Sequence, residues 1–260
     1  MTAILRYESR MLLKGSLILS GLLVIFAFFF LSVFPGIKEQ AEALQDAFPD
    51  FLAGAMGFEE LHTIEGFTAG WLFPFLWMLL VGIYFAYRSA SFISGDIRSR
   101  QMDLLLSNPV SRESVVIQKF GALWVPLTLL NLTLFIVIVF GSMLIGETID
   151  IVGLFMAQML SVPYLLVCGA IGMVLSVATD RINTAQAVAI GAVLILWLLE
   201  GVSELDPAYE VLGYISPSRY YDPSAILVRG EYAFGDAGIL LLATGVLLTI
   251  ASVIFIRRDL

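Results

Sequence analysis

Residues suited to chemistry are scarce in this chain. His62 is the only histidine, so neither a two-histidine metal site nor an HExxH zinc motif can be assembled. Cys168 is the only cysteine, which excludes an intrachain disulfide; its place in an apolar run reads as a small buried hydrophobe. No G-x-x-x-x-G-K-S/T stretch occurs, so ATP hydrolysis through a phosphate-binding loop is excluded. The sequence therefore predicts no catalytic, cofactor-binding or metal-binding residues on this chain. What remains is a set of mild polar side chains inside apolar runs: Asn131, Thr133, Gln158, Asn183 and Gln186. Such residues either line a polar path between helices or hydrogen-bond one helix to the next. Asn131 and Gln158 are the candidates for such a path.

The elements that must position them are set by composition. Of 260 residues, 59% are hydrophobic and 14% charged, against roughly 25% charged in soluble domains. Mean hydropathy is +0.93. Several apolar runs reach about 20 residues, enough to cross a hydrocarbon core of about 30 Å. Six spans are predicted, over 15–34, 67–87, 120–146, 151–179, 183–199 and 237–256, giving one all-α transmembrane domain over residues 1–260. Pro126 and Pro163 predict kinks in the third and fourth. The first apolar run is too long for a signal-peptide core, and no small-residue cleavage site follows it. None of the six contains Asp, Glu, Lys, Arg or His, which argues against a proton-coupled carrier, since charges retained in spans usually mark ion pathways.

Basic residues orient the spans. With both termini cytoplasmic, the inner segments carry eleven lysines and arginines and the outer segments only Lys38, Arg219 and Arg229. That is a strong positive-inside bias. The formal net charge of −8 then reflects an outer surface rich in carboxylates and implies no nucleic-acid partner. The expected location is the cell membrane, as a multi-pass protein.

Between the spans, three segments carry information. Residues 1–14 read as an amphipathic interfacial helix, with Arg6, Arg10 and Lys14 at i, i+4, i+8 and Ile4, Leu5, Met11 and Leu12 as apolar area. In the first outer loop, Ile37, Ala41, Leu44 and Phe48 recur at helical spacing up to Pro49. The outer loop 200–236 is dense in tyrosine, which suits a membrane interface. The fourth span carries a small-residue stripe, Gly169, Gly172 and Ser176, fit for close helix packing.

The inner loop 88–119 is the most distinctive. Met102–Leu106 form a short apolar patch in a charged setting, stopped by Asn108-Pro109, after which Ser111 reads as a helix N-cap. An exposed apolar patch calls for a partner. This stretch resembles the signature of ABC-2-type permeases, the membrane subunits of ABC transporters. In that family an acidic residue precedes a GTLELLLSLPVSR-like string and then a lysine. Here Asp96 takes the acidic position, MDLLLSNPVSR (Met102–Arg112) follows, and Lys119 takes the lysine position. Arg100 and Gln101 replace the usual Gly-Thr. The terminal Phe255-Ile256-Arg257-Arg258-Asp259-Leu260 also looks like the family.

The resemblance implies a type V exporter-like permease fold. It would work as a dimer with a second copy or a paralogous permease, embedded in the lipid bilayer. ATP and Mg would be bound by separate ATPase subunits. It also assigns the ATPase contact to Asp96, Met102, Asp103, Leu104, Leu105, Leu106, Pro109, Arg112 and Lys119. Asn131 and Gln158 would then line the substrate path, and Tyr220 and Tyr221 would stand at an exit gate, the alternative for the tyrosines being interfacial anchoring alone. The alternative function is a membrane anchor or assembly protein that recruits a cytosolic partner without transport.

Overall fold

The computed structural model describes residues 3–47, 62–107 and 110–258; the side chains of 3, 41–47, 103, 104, 106 and 207 fall outside the description. Among the described residues every regular element is a helix, as the hydrocarbon core demands of a chain that cannot leave backbone groups unpaired. The elements are α1 (Ala3–Ala47), α2 (Ile64–Phe67), a π-helical segment (Thr68–Val81), α3 (Gly82–Ala90), α4 (Phe92–Arg98), α5 (Gln101–Leu106), α6 (Arg112–Gly121), α7 (Trp124–Leu144), α8 (Ile151–Ala178), α9 (Ile182–Ser203), α10 (Glu210–Gly213), α11 (Pro223–Leu227) and α12 (Phe234–Arg257). Six stretches are long and apolar enough to cross a membrane: Ile4–Gln40, Ile64–Arg98, Arg112–Leu144, Ile151–Ala178, Ile182–Ser203 and Phe234–Arg257.

α8 is the centre of the bundle. It is the most enclosed of the six and packs against α3, α7, α9 and α12. Its small-residue stripe lets neighbours approach: a Cβ on Gly172 would lie 2.1 Å from the carbonyl oxygen of Ala86 on α3. α1, α9 and α12 stand at the rim and expose apolar faces, as lipid-facing helices do.

Residues 1–14, 15–34 and the first outer segment were expected as separate pieces, but residues 3–47 form one helix. A single buried stripe explains the continuity. Glu8, Leu12, Ser16, Leu19, Leu23, Ala27, Leu31 and Phe34 recur every three or four residues and face the bundle without a break. Pro35 is carried inside the helix, and Phe48 and Pro49 lie outside the described residues. The second span differs as well. Its middle winds as a π-helix around Pro74, which has no N–H to donate, and the hydroxyl of Tyr164 on α8 donates to the Met78 carbonyl at 3.1 Å. In the third span the chain breaks between α6 and α7 at Ala122-Leu123, where the missing N–H of Pro126 leaves the Ala122 carbonyl to a tighter bond from Val125 at 3.1 Å. α8 passes Pro163 without interruption.

Candidate functional site at the end that carries both termini

With six crossings, the start of α1 and the end of α12 share one end of the bundle, and the loop 88–119 joins them there. α6 begins at the N-cap Ser111, whose Oγ accepts from the Ser114 N–H at 3.3 Å, as the sequence predicts. One face of α6 is buried, through Val115, Val116, Lys119 and Phe120. Lys119 is thereby drawn inside, its side chain 1% exposed, with Nζ 2.8 Å from Asp96 Oδ2 and paired also with Glu8 Oε1. The ring of Phe92 lies 5.9 Å from the same nitrogen. Two carboxylates, 10% and 15% exposed, thus enclose one ammonium and link α1, α4 and α6. Removing the ammonium would strand both carboxylates in a poorly solvated setting.

α4 is fixed from the other side. Its first N–H groups have no partner within the helix. Ser176 on α8 supplies one, its Oγ accepting from Ile93 N at 2.9 Å and Ser94 N at 3.1 Å. α4 ends at Ser99, and the next residue, Arg100, has φ +57°. That is the left-handed position where helices usually place glycine, and it explains why the resembling sequences carry Gly there.

α5 follows. Met102, expected on an exposed patch, is 1% exposed and belongs to the core; the helix turns it inward. Leu105 is half-buried and lines a small open cleft with Ile4, Tyr7, Glu8, Asp96 and Gln101. The side chains of Asp103, Leu104 and Leu106, and all of Pro109, lie outside the described residues.

Arg112 does not line this cleft and is bonded to the end of α12. Its Nη1 donates to the carbonyls of Phe255 at 2.9 Å, Ile256 at 3.1 Å and Arg258, and its guanidinium sits 5.6 Å from the Phe255 ring. The last carbonyls of α12, which have no partner within the helix, are thus capped by the loop. Arg258 in turn donates to the Val177 carbonyl at 2.6 Å and to Asp180, at the end of α8. The pair of arginines straps the loop to the ends of α12 and α8. Glu8, Ser176 and Arg258 were not predicted as members of this site. The available sign was that Glu8 is the one acid among the cations of residues 1–14.

The remaining candidates lie elsewhere. Asn131 and Gln158 meet at the seam of α7 and α8. With its amide turned to suit its neighbours, Gln158 donates to the Asn131 carbonyl and accepts from the Phe135 N–H, both at 3.0 Å. Asn131 donates to Leu127 O at 2.8 Å, and both residues are buried. Tyr221 is buried at the opposite end, its hydroxyl donating to Ala157 O at 3.0 Å and its ring 6.2 Å from that of Tyr164. Burial, then the charge of Asp222, raises its phenol well above the ordinary range, so it remains a neutral donor. Tyr220 is half-buried and donates to Tyr214 O at 3.1 Å. Beside it Arg219 bridges Glu200 and Glu210, at 3.9 Å and 3.0 Å. The structure therefore gathers Asp96, Met102, Leu105, Arg112 and Lys119 at one end, and leaves Asn131, Gln158, Tyr220 and Tyr221 apart from them.

A bundle of six apolar helices with a charged, helical loop locked at one end defines a multi-pass membrane protein. Residues 2–260 match the family model described as ABC-2 family transporter protein, and the chain belongs to that family. It is a membrane permease component of ABC transport. No curated protein matches the chain.

Proposed function

We propose that this chain is the permease subunit of an ATP-driven exporter, forming the substrate path as a dimer and receiving force from separate ATPase subunits through the loop 96–119. Both termini lie in the cytoplasm on this reading, because eleven of the fourteen cations then fall on the inner side. One observation carries the coupling assignment. α5 stands outside every apolar span, and Leu105 lines an open cleft beside the locked Glu8–Lys119–Asp96 cluster. A partner seated there presses on α1, α4 and α6 together, since the shared ammonium joins them.

Burying a leucine is worth about 1.5–3 kcal/mol, and a carboxylate in its place adds the cost of burying a charge. Leu105→Asp should leave the protein in the membrane and weaken ATPase binding by about 25-fold or more. Arg181→Asp, on an exposed turn between α8 and α9, should weaken it much less. Co-purification of the ATPase unchanged by Leu105→Asp would remove the coupling assignment and with it the strongest support for the transporter reading.

A further inference from the structure

The outward side of α1 carries a feature that the transport reading does not use. Arg6, Arg10 and Lys14 are exposed and form no ion pair among the described residues. At about 100° per residue, they lie opposite Glu8 and Leu12, which face the bundle. The same side continues upward as Leu13, Leu17, Val24 and Phe28, all exposed, with Leu17 at 54% and Phe28 at 50%. Arg6 and Leu13, like Arg10 and Leu17, are seven residues apart, two turns on one face. One unbroken helix therefore presents apolar side chains directly above a ladder of cations, and that continuity is what distinguishes it from a helix lying flat on the surface.

We propose that this face holds anionic phospholipid, with headgroup phosphates on Lys14, Arg10 and Arg6 and acyl chains along Leu13, Leu17, Val24 and Phe28. Its dimensions suit that occupant. Helix α1 has 45 residues, about 68 Å at 1.5 Å per residue, more than twice the hydrocarbon thickness of about 30 Å. With the apolar run beginning after Lys14, Arg10 lies about 6 Å and Arg6 about 12 Å below it, which spans the headgroup layer. Tyr7 and Met11, 54% and 53% exposed, flank the ladder with amphipathic and soft apolar surface suited to that interface. An acidic protein surface would be the other partner for three cations, but the cleft at Leu105 opens beside Ile4, Tyr7 and Glu8, about a third of a turn around α1 from the ladder. Only the assignment to the inner leaflet rests on the orientation proposed above; the site itself does not.

The test uses the full-length permease, purified without ATPase and titrated with phosphatidylglycerol or phosphatidylcholine, with retained lipid counted by native mass spectrometry. The wild type should retain phosphatidylglycerol preferentially. Each cation contributes roughly fivefold near an anionic surface, so Arg6→Gln/Arg10→Gln/Lys14→Gln should weaken retention on the order of 100-fold. Arg6→Lys/Arg10→Lys should keep the preference, and Arg181→Gln should leave it unchanged. Equal retention of the two lipids by the wild type, or an undiminished preference in the triple glutamine variant, overturns the proposal. So does loss of ATPase binding in that variant with lipid retention intact, which would give the face to a protein partner. Because retention is measured on the permease alone, failure here is separate from failure of the coupling assignment.

Discussion

Lys119 sits between two carboxylates that reach it from different parts of the chain, and the energetics follow from how little water reaches them. Its side chain is 1% exposed. Lys119→Met would leave Glu8 and Asp96 without a counter-charge, and the expected cost is about 3–5 kcal/mol. Replacing all three, as Glu8→Gln/Asp96→Asn/Lys119→Met, should recover most of that loss, because a buried ionic group and a neutral substitute of similar volume often come close to equal. Denaturation of the purified variants in detergent checks both statements, and a Lys119→Met protein as stable as the wild type would refute the cluster's role. At this scale the sequence was partly legible. Asp96 and Lys119 stood out through the permease-like motif, which names positions and not their partners. Glu8 is 111 residues from Lys119, and nothing local in a single sequence pairs them. Adjacent Tyr220 and Tyr221 read alike, yet one is half-buried and the other enclosed; a loop without periodicity does not announce which way each side chain turns.

The six spans were legible because the bilayer imposes a length and forbids charge, and both leave marks that need no knowledge of packing. Their ends were less so. No helix breaker separates Lys14 from Gly15, and Pro35 is tolerated, so the boundaries of α1 could not be read from hydropathy, which changes where the helix does not. The small-residue stripe of α8 was correctly seen as a packing surface, and the structure gives it a precise partner in α3. Because a Cβ on Gly172 would stand 2.1 Å from the Ala86 carbonyl, even Gly172→Ala must push α8 away from α3. The expected destabilisation is about 1–3 kcal/mol. Gly191→Ala on α9, where nothing lies within 4 Å, should cost almost nothing. Thermal unfolding of the two variants side by side distinguishes close packing from a general intolerance of substitution in the bundle.

Across the whole molecule, the loop, the end of α12 and the end of α8 are joined in series by Arg112 and Arg258. Residues in one such network do not act independently. Arg112→Ala frees the carbonyls at the end of α12 and loosens Arg258 with them, so adding Arg258→Ala should do less than it does alone. A coupling energy of about 0.5–3 kcal/mol is expected from the double-mutant cycle. Faster hydrogen exchange at 178–182 in Arg112→Ala alone would show the effect arriving at a distance; exchange there that matches the wild type would show that the strap carries nothing. The family pattern pointed to Arg112 but not to its acceptors, because carbonyl oxygens belong to the backbone and leave no trace in residue types.

That same strap sets an order on biosynthesis. The acceptors of Arg112 extend to Arg258, 146 residues later in the chain. At roughly 5–20 residues per second, a ribosome reaches them about 7–30 s after it has made the loop. Until Arg258 has been made, the loop lacks this anchor, however early its own helices form. On the coupling proposed above, an ATPase that requires the anchored loop would engage no chain that stops short of Arg258.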